Sequence, residues 1–272
     1  MQQRAKSQIK QSKPWLERLA RLGFLSKGAV YLTIGLLAFQ AAFGTGGQTT
    51  DTQGAVQAIA RQPFGQVLLA ILSLGLVSYA LWRFMQTILN PEGRSGAKGM
   101  VARSAFLLSG LIHLALAVFA MGQLFGSGTG GGSTEQDMTA RLLEAPFGRW
   151  LVGGVALAVM AAGLLQLFRA YNASFRKALK FSEMSQTESA WATRAGRVGY
   201  AARGVVFVLM GIFFMQAALQ ADASEARGLG GALAALQEQP YGPYLLGGVA
   251  LGFIFYGVYM GVEARYRDVY AE

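Results

Sequence analysis

The chain has 272 residues, 53% of them apolar and only 14% charged, with a formal net charge of +10, one histidine and no cysteine. That charge content lies well below the roughly 25% of an average soluble domain. The lack of cysteine excludes disulfides, thiolate nucleophiles and thiolate metal sites, and a single histidine excludes a histidine cluster for zinc or haem.

Six windows carry no Asp, Glu, Lys or Arg: 28–50, 62–82, 104–134, 150–168, 204–221 and 239–262. Each holds a mostly apolar stretch of about 18 to 21 residues, and about 20 helical residues at 1.5 Å rise span a hydrocarbon core of roughly 30 Å. The windows predict six transmembrane helices. Ahead of the first, residues 1–14 form a basic tail, and Trp15, Leu16, Leu19 and Leu22 make an apolar stripe beside Arg18 and Arg21 that suits an interfacial anchor. Basic, then apolar, then small is also the order of a signal peptide. The same pattern recurs at 196–218, however, so the first span is read as part of the fold.

Between the first two spans, residues 51–61 carry Ala55, Val56, Ile59 and Ala60 on one stripe, with Asp51 placed as an N-cap. Pro63-Phe64-Gly65 then announces the second span. The third contains His113 and ends in the run GSGTGGG at 126–132. That run lacks the Lys-Ser/Thr of a phosphate loop and reads as a flexible linker. A second amphipathic segment, 135–143, precedes Pro146-Phe147-Gly148 and the fourth span; a third, 229–237, precedes Pro240-Tyr241-Gly242 and the sixth. These three segments are expected to be short helices on the outer interface or over the outer mouth.

The chain is written in repeats. Trp15, Arg18, Arg21, Gly23, Gly28, Val30, Gly35, Gln40, Ala41 and Ala42 all recur 176 positions later. A middle copy repeats Arg21, Phe24, Gly28 and Gly44 as Arg103, Phe106, Gly110 and Gly126. GGVAL stands at 153–157 and 247–251, and Leu74-Gly75 and Tyr79 match Leu251-Gly252 and Tyr256. Such self-similarity defines the architecture. Hairpin repeats are expected at 15–94, 95–172 and 191–267, with a linker at 173–190, all in one membrane domain. Twenty of the 24 Lys and Arg fall on one side of the spans and four, Arg61, Arg141, Arg149 and Arg227, on the other. The positive-inside rule places the twenty, and both chain ends, in the cytoplasm. All three hairpins then run in the same sense, and most simply close around a pseudo-threefold axis. The basic surplus belongs beside anionic lipid headgroups and requires no nucleic acid.

The three-copy pattern resembles the bacterial membrane proteins grouped as domain of unknown function 1206. Its carriers are the R-x-G-[FY]-x-x-[KR]-G-x-V-[YF] starts at 21–31 and 197–207 and the three P-[FY]-G signals. The resemblance runs from Trp15 to about Arg267, and implies a multi-pass protein of the bacterial inner membrane with no assigned activity. The middle copy departs, with Ser109 where the others have Lys27 and Arg203, and His113 where they have Tyr31 and Phe207.

Gly28, Gly110 and Gly204 are equivalent, as are Gly35 and Gly211, and small residues seven apart let helix backbones approach. Lys27, Arg203 and Arg83 are expected to snorkel to the headgroups. His113 is expected to be neutral and bonded to a neighbouring helix, because its equivalents are rings. Tyr31, Tyr79, Arg83, His113 and Tyr256 are the candidates for a pathway or polar contact. No paired carboxylates, nucleophile–base pair, cofactor motif or metal-ligand set lies in the spans. The sequence therefore favours a structural or partner-binding membrane module, resting on a lack of buried charge, over a transporter or channel along the axis; an enzyme is disfavoured, and protein partners are not legible.

Overall fold

Six uncharged, mostly apolar windows satisfy their backbone groups internally, as helices. They form α1 (Lys13–Ala42), α3 (Gly65–Leu89), α4 (Gly96–Leu124), α6 (Gly148–Asn172), α7 (Gln186–Gln220) and α9 (Gly242–Tyr266). Three short helices, α2 (Thr52–Ala60), α5 (Thr134–Glu144) and α8 (Leu229–Gln237), join the long ones in pairs α1/α3, α4/α6 and α7/α9. This computed structural model describes residues 13–90, 96–126 and 134–267; the basic tail up to residue 12, Arg94 and residues 127–132 of the glycine-rich run lie outside them. All six long helices are long and apolar enough to cross a membrane. The stripe around Trp15 belongs to the first turns of α1, and Trp15 is exposed.

Each Pro-aromatic-Gly tripeptide makes one and the same turn. Phe64, Phe147 and Tyr241 adopt the left-handed region, at φ 61°, 62° and 63°. The glycine after each donates its N–H to a carbonyl three residues back (Gln62, Ala145, Gln239), at 2.8 Å every time. A β-carbon on Gly65, Gly148 or Gly242 would strike the carbonyls of Ala60, Leu142 or Gln237, so the tripeptide fixes the angle between short and long helix. Asp51 caps α2 through the Gly54 N–H at 2.7 Å.

The long helices pack mainly between hairpins. The most extensive pairs are α6–α7, α1–α9 and α3–α4, followed by α7–α9 and α1–α3 within hairpins; α4 and α6 do not pack along each other. Small residues make the seams. A β-carbon on Gly28 would stand 2.9 Å from the Gly257 carbonyl oxygen, and one on Gly204 would stand 3.0 Å from that of Gly163. Gly110 faces the edge of the Phe84 ring across α3–α4. The helices thus follow one another as α4, α3, α1, α9, α7, α6, with one unpacked junction between the last and the first.

One end of the bundle carries residues 13 and 267. There Lys180 bonds Glu17 at 3.5 Å, its N–H donates to the Tyr266 carbonyl at 2.8 Å, and the Tyr266 hydroxyl donates to Glu188 at 2.8 Å. Glu188 also closes a capping box with Ser185 at the start of α7. The segment after α6 seats Phe175 against Tyr200 and Tyr259, with ring centroids 5.3 and 5.2 Å apart. At the opposite end Arg149 donates to the carbonyls of Ala218 and Leu219, tying α6 to the end of α7. The Asp222 carboxylate accepts the Ser224 N–H there, which holds it below the ordinary carboxylate range.

Candidate functional site

In two of the three hairpins a glycine lets a tyrosine sit directly on the partner helix. A β-carbon on Gly23 would lie 2.7 Å from Tyr79 Cα, and one on Gly199 would lie 2.6 Å from Tyr256 Cα. One helical turn further along, a cation reaches that tyrosine: Lys27 Nζ donates to the Tyr79 hydroxyl at 3.1 Å, and Arg203 Nη1 to the Tyr256 hydroxyl at 2.5 Å. The middle hairpin has Ala105, Ser109 and Ala162 at the three matching positions. It has neither the tyrosine nor the cation, and its helices α4 and α6 stand apart.

The space left is a chamber of about 660 Å³, walled by all six long helices and by the segment after α6, and placed toward the end that carries residues 13 and 267. Ala105, Ser109 and Ala162 all line it. So, among the described residues, do six cations, Lys27, Arg83, Arg169, Lys177, Arg203 and Arg267, against one carboxylate, Glu263. Glu263 is already engaged, accepting from Arg267 at 3.1 Å and from the Tyr259 hydroxyl at 3.1 Å. Among the described residues no carboxylate lies within ion-pair distance of Lys27, Arg83 or Arg203.

Tyrosines take the place of counter-ions. Arg83 donates from Nε (2.9 Å) and Nη2 to the Tyr79 hydroxyl, and from Nη1 to Gln86 at 2.8 Å. The Arg203 guanidinium lies 4.4 Å from the Tyr256 ring centre and 4.9 Å from that of Tyr31. Lys27 lies 5.0 Å from the Tyr79 ring centre. Such contacts contribute up to about 2 kcal/mol each when dry, well short of a buried cation's lost hydration. Among the described residues, four polar atoms of the chamber wall are buried without a hydrogen-bond partner: Trp82 Nε1, Gln166 Oε1, Arg203 Nε and Arg267 Nε. Each such atom costs about 1–3 kcal/mol unless something polar meets it.

The structure places the sequence-derived candidates in two groups. Arg83 and Tyr256 line the chamber, whereas Tyr79, Tyr31 and His113 stand behind it. Tyr31 packs edge-on against Tyr256 at 4.9 Å, and His113 takes the equivalent place against Tyr79 at 4.4 Å. The histidine's bond differs from expectation. Nδ1 lies 2.8 Å from the carbonyl of Ser109 on its own helix, so Nδ1 carries the proton and donates. Gly28, Gly35, Gly110, Gly204 and Gly211 lie on the seams and contribute no chemistry to the chamber.

Two expectations are corrected. Lys27, Arg83 and Arg203 turn inward rather than out to the headgroups, because a tyrosine hydroxyl and ring face lie within reach. Buried charge is also present: Lys27 is 8% exposed and Glu263 3%. Sequence reading missed Gln166, Arg169, Glu263 and Arg267. For the first three the signal was positional, since Gln86, Arg169 and Glu263 occupy one repeat position and Arg83 and Gln166 another; Arg267 matches Asn90 and Ala173 and carried no such signal.

His113→Phe is expected to leave the fold nearly intact. It keeps the ring against Tyr79 and gives up one bond to a carbonyl already used by the helix. The change should be about 1 kcal/mol or less, a shift of roughly 2–4 °C in thermal melting in detergent.

The family described as Domain of Unknown Function (DUF1206) matches the chain three times, at residues 22–90, 104–173 and 198–267, once on each hairpin. "Uncharacterized protein YxxB" of Bacillus subtilis (strain 168) is 35% identical over 265 residues, covering 97% of this chain and 96% of that protein. No solved structure matches the chain. With three matches across its length and a relative similar from end to end, the chain belongs to the DUF1206 family of multi-pass helical membrane proteins.

Proposed function

We propose that this protein is a membrane-embedded binding module that holds an anionic, phosphate-type group in the basic chamber. The carrying observation is the trio Lys27, Arg83 and Arg203, held on tyrosines with no carboxylate in reach among the described residues. Uncompensated cations inside a bilayer are costly, and an anion with several acceptor oxygens would offset that cost and meet the unpartnered donors. The planar donor fork of arginine suits phosphate best.

In this reading the chain lies in the bacterial inner membrane with both ends and the chamber on the cytoplasmic side, as the lysine and arginine distribution indicates. The hairpins surround a pseudo-threefold axis, a reading supported by the equivalent Gly–Tyr contacts and the three similar inter-hairpin seams. The short helices sit at the outer interface, supported by Phe64, Phe147 and Tyr241, exposed aromatics beside them. Ile34, Ala38, Leu69, Leu72 and Leu246 are buried in the other half of the bundle. That apolar packing favours a one-sided binding module over a path along the axis. The reading includes no catalysis and no nucleic acid; the bilayer, with its anionic cytoplasmic headgroups, is the partner.

The test is thermal melting of the purified protein in detergent with inorganic phosphate against chloride at equal ionic strength. Phosphate at about 100 times its dissociation constant is expected to add about 2.7 kcal/mol. Arg83→Gln with Arg203→Gln should remove most of that gain. Equal shifts with both anions, or in both proteins, would contradict the reading.

A further inference from the structure

The chamber has a side window. Along the unpacked junction its wall consists of Ala102 and Ala105 on α4 and Ala162 and Leu165 on α6. Leu165 lines the chamber and is 58% exposed, Ala105 lines it and is exposed as well, and α4 and α6 do not pack along each other, so the chamber opens between them toward the lipid-facing surface. Beyond the window the surface is apolar, with Leu108 and Ile112 on α4 and Leu164 and Phe168 on α6 all exposed. A free anion needs only an aqueous mouth. A window framed by three alanines and Leu165 and flanked by exposed apolar side chains is what an amphiphile needs, with its charged head inside and its chains outside.

We infer that, given anion binding in the chamber, the anion is the head of a phospholipid from the adjoining leaflet, admitted sideways between α4 and α6. The phosphate meets Arg83 and Arg203, the acyl chains lie along the outer faces of α4 and α6, and Arg169 and Lys177 hold the rest of an anionic head at the mouth. The window follows from the middle repeat. Where the other hairpins are closed by Gly23–Tyr79 and Gly199–Tyr256, this one has Ala105 and Ala162. The selectivity expected is for a net-negative head such as phosphatidylglycerol over the zwitterionic phosphatidylcholine, because among the described residues of the wall Glu263 alone stands against six cations.

Native mass spectrometry of the full chain released from detergent tests this, with phosphatidylglycerol, phosphatidylcholine and the chain-free head group glycerol 3-phosphate as probes. The wild type is expected to retain one phosphatidylglycerol at least tenfold better than phosphatidylcholine. Ala105→Leu combined with Leu165→Phe fills the window and should lower phosphatidylglycerol retention at least tenfold, while glycerol 3-phosphate affinity changes less than threefold. Ala105→Leu alone, at an exposed position, carries the same comparison if the double variant melts early. Arg83→Gln with Arg203→Gln should lose both probes. Binding of glycerol 3-phosphate without retention of phosphatidylglycerol overturns the lipid inference and leaves anion binding standing. Phosphatidylglycerol retention unchanged by the window variants overturns sideways admission, and failure of both probes on the wild type overturns anion binding with it.

Discussion

Gly35→Leu and Gly211→Leu are each expected to destabilise the bundle severely. The two are repeat equivalents on the two most extensive seams. A β-carbon on Gly35 would stand 2.8 Å from the Ile254 amide nitrogen and 2.9 Å from the Ala250 carbonyl oxygen. On Gly211 it would stand 2.9 Å from the Met160 amide nitrogen and 3.0 Å from the Ala156 carbonyl oxygen. Backbone cannot swing aside as a side chain can, so α1 must separate from α9, or α7 from α6. Overpacking of this kind costs about 3 kcal/mol or more, a large share of a typical margin of about 5–15 kcal/mol. Gly110→Leu provides the contrast. Its neighbour is the Phe84 ring, which can turn, so the loss there should be smaller. Melting temperatures of the three variants in one detergent give the order; a Gly110 variant weaker than the other two would contradict the backbone-contact account.

Glu263→Gln is expected to weaken the fold and strengthen anion binding at the same time. Glu263 is 3% exposed and is the acceptor for both Arg267 and the Tyr259 hydroxyl. Removing its charge leaves Arg267 stacked on Phe24 with no carboxylate. Breaking one side of a buried pair costs about 3 kcal/mol, at the lower end of the usual range because the Arg267 side chain is still 14% exposed. The same change removes the one negative side chain among the described residues of the chamber wall, so phosphate should bind more tightly. Melting with and without phosphate separates the two effects: a lower baseline with a larger phosphate-induced rise is expected. A lower baseline with a smaller rise would mean that Glu263 orients the site rather than opposing its ligand.

The six helices were legible because each rests on local signals, an uncharged window of membrane-spanning length and a Pro-aromatic-Gly turn at the head of α3, α6 and α9. The cap on α2 was legible for the same reason: Asp51 stands directly before the segment that carries the apolar stripe. The repeat placed Gly28, Gly110 and Gly204 together before any helix was packed. The chamber was not legible, because it depends on which helices meet. Lysine and arginine near a helix end read as snorkelling when considered alone; only packing brings Tyr79 within reach of Lys27, and Tyr256 within reach of Arg203. A partial signal existed. Ser109 stood out against Lys27 and Arg203, and extending the alignment of Tyr79 with Tyr256 to the middle copy leads to Ala162. Two simultaneous losses in one hairpin mark where the ring of helices opens.

A thiol at position 109 tests the basic chamber most directly. The protein has no cysteine, so Ser109→Cys carries a single reporter on the chamber wall. Its rate of reaction with an anionic and a cationic methanethiosulfonate of similar size, each corrected for reaction with a free thiol, reads the local potential. Adding the reagents to inside-out or right-side-out vesicles reads the sidedness. The account predicts labelling from the cytoplasmic side, with the anionic reagent favoured about tenfold or more and the preference shrinking as salt rises. A faster reaction with the cationic reagent, or labelling from the outer side alone, would contradict it.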